Sequence, residues 1–216
     1  MRVTRRAFGT GLLAGVVGTT GCLGFVRNEE PLTFEAVGAR PTDEALAETG
    51  YRHHETRSET IREAFEIAGQ SREVELVNVL VECDRAVDLG TAGRLRAAAF
   101  IAFATPQFEA FGRRFHPGDR ISTRRLATEL SSNFDELSIG EEVDERTLTV
   151  FGEAVDVSTF EGRAVLGPTT LEVYVHLGAA TNDDDFVVLV GVHPRWLDGE
   201  YENVAALAES LSPTTE

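Results

Sequence analysis

The segment FVVLVGVHP, residues 186–194, is apolar on both faces of an extended chain. A strand of that composition must be covered on both sides, which places it in the middle of a sheet. LRAAAFIAFAT, residues 95–105, has the same character, and Pro106 ends it whether it is a strand or a buried helix. We read it as a central strand, with QFEAFG as its partner or continuation. VELVNVLVEC, residues 74–83, adds a run rich in β-branched residues.

The neighbouring segments are read around these. Tyr51–Ile67 and Arg72–Cys83 form a hairpin across an Ala68-Gly69-Gln70-Ser71 turn. RTLTVFG and AVDVSTFEGRAV follow, with Gly152 at their turn. TLEVYVHLG places Leu171, Val173, Val175 and Leu177 on one face and Glu172, Tyr174 and His176 on the other. Three helices are expected. One opens at Thr42 or Asp43. One spans Ser122–Phe134, with Leu126, Leu130 and Phe134 on one face. The last covers Gly199–Leu211, is capped by Asp198 and buries Val204, Leu207, Ala208 and Leu211. The expected fold class is α+β, an antiparallel sheet with hairpins and helices packed against it.

Charge narrows the function. Thirty-six acidic residues stand against 20 basic ones, for a formal net charge of −16, and every basic side chain is arginine. Such an excess argues against nucleic-acid binding, which needs a positive footprint. The acids are spread along the chain, as on a surface adapted to high salt, with a cation-binding surface as the alternative. Without lysine there can be no Schiff base, phosphate-loop lysine or Ser–Lys dyad.

The first 21 residues read as an export signal. Thr4-Arg5-Arg6-Ala7-Phe8 fits a twin-arginine motif in Arg5, Arg6 and Phe8, and a short glycine-diluted apolar run follows. Thr19-Thr20-Gly21 then precede Cys22, whose thiol is expected to carry a lipid. The usual leucine three places before the cysteine is replaced by Thr19. Residues 22–31 form a tether, and residues 32–216 a single domain. Three arginines precede Cys22, so the exported chain is more acidic still.

Within the domain, Arg113, Arg114, His116, Arg120, Arg124 and Arg125 cluster with Asp119 as the one acid among them. They are a candidate site for an anion or an acidic partner, or else they pair with neighbouring acids. No zinc site is expected. His53 and His54 are adjacent and point to opposite faces, and a hairpin centred near Asn182 sets His176 opposite Val188, away from His193. The loop TNDDD is read as solvated, Cys83 as a buried thiol, and Trp196 as either an interface or a core residue. HExxH, paired CxxC and GxSxG motifs are missing.

The leader, with PLTFEA, AETGYRHHE, AGQSREVELVNVLVECDRAVDLG, FHPGD and DDFVVLVGVHPRWLDGEYENV, resembles a family of haloarchaeal lipoproteins known only as a domain of unknown function. The resemblance covers essentially the whole chain and implies no activity or site residue. The order of elements is also similar to the PsbP-like fold, an α/β/α sandwich, which would imply a binding or assembly module. The expectation is a cofactor-free, non-catalytic protein lipid-anchored at the outer face of a halophile's membrane, binding a protein or anionic partner. Alternatives are a solute-binding lipoprotein using the arginine cluster, and a hydrolase built around His116 or His193.

Overall fold

The computed structural model describes residues 31–67, 70–110, 113–115, 134–182 and 185–214. Its body is an eight-stranded sheet. The long hairpin β3 (Arg52–Ile67) and β4 (Gln70–Asp88) forms one side, paired from Arg52↔Asp84 to Ile67↔Gln70. On the other flank of β4 lie β1 (Leu32–Glu35), parallel to Val74–Val77, and β5 (Arg94–Pro106), antiparallel to Val79–Asp88. The sheet continues through β11 (Asp185–Pro194), β10 (Thr169–Thr181) and β9 (Glu153–Leu166) to the edge strand β8 (Glu136–Val150). Two-stranded ribbons pair β2 (Ala39–Pro41) with β12 (Leu211–Pro213) and β6 (Phe108–Ala110) with β7 (Arg113–Phe115).

The two-faced apolar segments lie where their composition requires. β5 sits between β4 and β11 and is buried without a break from Ala97 to Pro106. β11 is flanked by β5 and β10, and most of it is buried. The edge strands differ. β3 alternates arginine and glutamate, with Arg62 ion-paired to Glu75 at 2.6 Å. β8 carries two register shifts, between Ile139 and Glu142 and between Glu142 and Asp144. Charge and bulges both discourage pairing with another chain.

Two short helices are present among the described residues. α1 (Asp43–Thr49) starts where expected, and Thr42 Oγ1 accepts from Ala45 N at 3.3 Å. α2 (Glu200–Glu209) packs on α1, β8 and β11. It buries Val204, Leu207 and Ala208. A helix of ten residues is marginal alone, so this buried stripe holds it, at about 1.5–3 kcal/mol per large apolar side chain. Asp198 does not cap it. Gly199 takes the N-cap position at φ 74° with no side-chain cap bond.

These observations correct the expected fold class. The described protein is mainly β, and neither the α+β fold with packed helices nor the α/β/α sandwich describes it. The extended runs are longer than their sequence punctuation suggests: β3, β4 and β8 reach 16, 19 and 15 residues. The expected helix Ser122–Phe134 lies outside the described residues except for Phe134, which is buried. Of the loop read as solvated, Asp183 and Asp184 lie outside the described residues, and Asp185 is not solvated. The Asp185 side chain is buried and accepts from Gly38 N at 2.9 Å, while Asn182 Oδ1 accepts from Asp185 N at 2.6 Å.

Candidate ligand cleft

Residues paired directly across a sheet project from the same face. The register therefore builds one row from Asp144 on β8, Thr159 on β9, His176 on β10 and Gly191 on β11. Two residues along, a second row on the same face holds Glu161, Tyr174 and His193. Gly191 leaves a gap in the first row, and α2 fills it. A Cβ at Gly191 would lie 2.6 Å from Val204 Cγ1, so only glycine lets the helix approach this closely. The first turn of α2 then overhangs both rows and closes a cleft of about 460 Å³.

The floor of the cleft is a hydrogen-bonded chain. Thr159 Oγ1 lies 2.9 Å from His176 Nδ1, His176 Nε2 lies 2.9 Å from His193 Nε2, and His193 Nδ1 lies 3.0 Å from the Pro194 carbonyl. A carbonyl only accepts, so His193 carries its proton on Nδ1. Its Nε2 then accepts from His176 Nε2–H, and His176 Nδ1 accepts from the Thr159 hydroxyl. All four ring nitrogens are satisfied with both rings neutral. The environment agrees. Burial, then His193 and Arg146, push His176 down to about 3. Burial also lowers His193, against the opposing pull of the Pro194 bond and Glu200.

Tyrosines border the two rings edge-on: Tyr201 against His176 at 5.2 Å and Tyr174 against His193 at 5.9 Å. Each tyrosine is covered by an arginine held by an acid. Arg146 stacks 4.0 Å from the Tyr201 centroid and pairs with Asp144 at 2.9 Å. Arg195 lies 5.2 Å from the Tyr174 centroid and pairs with Glu161 at 2.9 Å. Beneath the overhang, the fully buried Glu200 ion-pairs with Arg85 and accepts from Tyr51 Oη at 2.7 Å and Asn203 Nδ2 at 3.2 Å. Burial first, then the Glu200 charge, raise Tyr51 well above the ordinary phenol range. Tyr201 Oη, shielded from solvent, has no hydrogen bond among the described residues.

This arrangement suits recognition better than acid–base chemistry. A general base works best with a pKa near the operating pH, and His176, the ring bonded to the Thr159 hydroxyl, lies far below it. His193 bonds only His176 and the Pro194 carbonyl among the described residues. Among the described residues, no carboxylate or hydroxyl is in its hydrogen-bond shell.

The hairpin centre expected from sequence separates these two histidines, and the observed register corrects it. Thr181 pairs with Phe186, which sets His176 opposite Gly191 and next to His193 on the diagonal. The loop centre was misplaced by little more than one residue. Thr159, Tyr174, Arg146, Glu200 and Tyr201 are not legible as a group, because what unites them is register across β8, β9 and β10 together with the packing of α2 over those strands. The strand alternation that put Tyr174 beside His176 was the one signal in the sequence. Trp196, left open as interface or core, is 55% exposed beside the cleft. Cys83 is a buried thiol, raised to about 12 chiefly by burial.

The other expected site residues lie wholly or in their side chains outside the described residues. Arg113 and Arg114 contribute backbone to β7, and His116, Arg120, Arg124 and Arg125 lie outside the described residues, as do Arg5, Arg6, Phe8 and Cys22. Away from the cleft, His54, Glu82 and Asp84 bring three ligand-type atoms within 4.8 Å, but Asp84 is already bound by Arg96 at 2.8 Å. No helix among the described residues is long and apolar enough to cross a membrane.

No curated protein sequence matches the chain. A family model does, over residues 38–212, a span that contains every residue of the cleft. Those residues take in most of the chain, and the protein belongs to the family described as a domain of unknown function, DUF6517.

Proposed function

We propose that this protein is a non-catalytic binding module of the outer cell surface of a halophile, exported through its twin-arginine signal and held by lipid on Cys22. The cleft is where it takes its solute or partner. The observation that carries the reading is a cavity of about 460 Å³ floored by two neutral, fully hydrogen-bonded imidazoles. Its volume suits a small ligand, and its floor is poor in basicity. The leader supports the anchor, and the net charge of −16 with no lysine supports high salt as the working medium.

The test has two arms. Intact mass of the membrane form is expected to show a lipidated N-terminal Cys22, and Cys22→Ser to release the protein to the medium. Met1 or an unmodified Cys22 on the mature chain rejects the anchor. In the second arm, thermal unfolding in molar salt is followed against a panel of small solutes. At least one is expected to raise the midpoint in the wild type and not in Tyr174→Ala. No shift with any solute, or an equal shift in the variant, rejects the cleft as the binding site.

A further inference from the structure

The two imidazoles meet in an unusual way. Their Nε2 atoms are 2.9 Å apart, the ring centroids 5.0 Å, and the planes only 20° from parallel. That is an end-to-end arrangement, with the two nitrogens aimed at each other and a single proton between them. The outer nitrogens are both fixed, one by Thr159 Oγ1 and one by the Pro194 carbonyl. Anchoring of the outer nitrogen is the usual support of a metal-binding histidine.

The tautomer of His176 is adjustable. Thr159 can accept as well as donate, so His176 can carry its proton on Nδ1 and give it to Thr159 Oγ1. Both Nε2 lone pairs then face the same point, and a cation must replace the proton that left. We propose that His176 and His193 bind one monovalent d10 ion of the Cu(I) class in linear, two-coordinate fashion. This rests on the reading of the cleft as the ligand site and supplies a ligand for it.

Three observations select that class. Head-on nitrogens suit an ion that takes two ligands in line. Two bonds of about 2 Å laid end to end span about 4 Å, so insertion parts the rings by about 1 Å, and His193 borders a cavity into which it can move. Zinc wants four ligands, and no third His, Cys or carboxylate joins the pair in a metal-sized group among the described residues. The surroundings favour a cation: Asp198 and Glu202 line the cleft without an ion pair among the described residues, whereas Arg146 and Arg195 are each already held by an acid. Proton and charge balance is simple. The His176 Nε2 proton reappears on Nδ1, the Thr159 hydroxyl turns to donate elsewhere, and the protein gains one positive charge with no proton released.

The experiment is an anaerobic titration of the full-length protein in detergent with Cu(I), read by competition with a chromophoric Cu(I) chelator and by X-ray absorption. One equivalent is expected, with two nitrogen neighbours and no sulfur. Thr159→Val, which keeps the shape and both histidines, is expected to weaken binding by about 10–100-fold. His193→Ala is expected to abolish binding, with near-ultraviolet circular dichroism confirming that it folds. His54→Ala and Cys83→Ser are expected to bind as the wild type does. No stoichiometric uptake, uptake that survives His193→Ala, sulfur in the coordination shell, or equal affinity for Zn²⁺ at the same residues each overturns the proposal. A solute that binds the cleft while Cu(I) does not would overturn the ion and leave the binding module standing.

Discussion

Two buried ionisable residues set testable limits on stability. Glu200 is 1% exposed and is held by Arg85, Tyr51 and Asn203. Removing one partner of a buried ion pair strands the other charge, at a cost of about 3–5 kcal/mol. Glu200→Ala is expected to lower the unfolding free energy by about that amount in urea titration, and a loss below about 1 kcal/mol would show that Arg85 finds water instead. His176 acts through pH. Its native pKa is about 3, against an ordinary value of 6.5. As pH falls through the ordinary value the unfolded chain takes up a proton and the native one does not. Stability is therefore full above about pH 6.5 and declines toward pH 3, by up to about 1.4 kcal/mol per unit. Burial moves His193 in the same direction. Urea midpoints at constant salt are expected to fall between about pH 7 and pH 5, and to fall less in His176→Asn. An equally steep decline in the variant would assign the acid sensitivity elsewhere.

At the level of elements, α2 depends on a single backbone position. Gly191 lies against Val204, and the nearest methyl is 2.6 Å from where a Cβ would sit. Gly191→Ala is expected to lift the helix and destabilise the protein by about 1–3 kcal/mol. Val204→Ala should recover part of that loss in a double-mutant cycle, since the two changes relieve the same overlap. Simple additivity would mean that the helix does not bear on that strand. This contact also shows what sequence reading could reach. The strands β5 and β11 were legible because two-faced apolar runs have one stable place in a sheet, and the Val204, Leu207 and Ala208 stripe because its spacing is helical. The packing of α2 onto a strand glycine was not legible, because nothing near Gly191 names the residue that will face it. The cleft was hidden for a related reason. A strand's faces alternate with period two, so a small error in the centre of the β10–β11 turn moved His176 from beside His193 to opposite Val188.

Across the whole molecule, the register fixes where the cleft lies relative to the first described strand, β1. Leu32 enters the sheet against Val74, whereas the His176 row continues from Gly191 to Phe100 and meets β4 at Cys83. Nine residues of strand separate those levels, about 30 Å. If lipid on Cys22 holds the protein with Leu32 toward the bilayer, the cleft faces away from it. Trp196 makes this measurable, because it is the single tryptophan of the chain and stands 55% exposed beside the cleft. The lipidated protein in vesicles of brominated phospholipid is expected to keep the Trp196 emission of plain vesicles, while acrylamide in the aqueous phase quenches it strongly. Bromine quenching with protection from acrylamide would place the cleft against the membrane, and the solute or partner would then have to come from the bilayer. The sign of the charge favours the outward arrangement. Without the three leader arginines the chain's 17 basic and 36 acidic residues leave a net charge of −19, which is repelled by acidic headgroups unless salt screens it within a few ångströms. Holding the body of the protein away from the bilayer lowers that repulsion and leaves Asp198 and Glu202 facing the medium from which a cation would arrive.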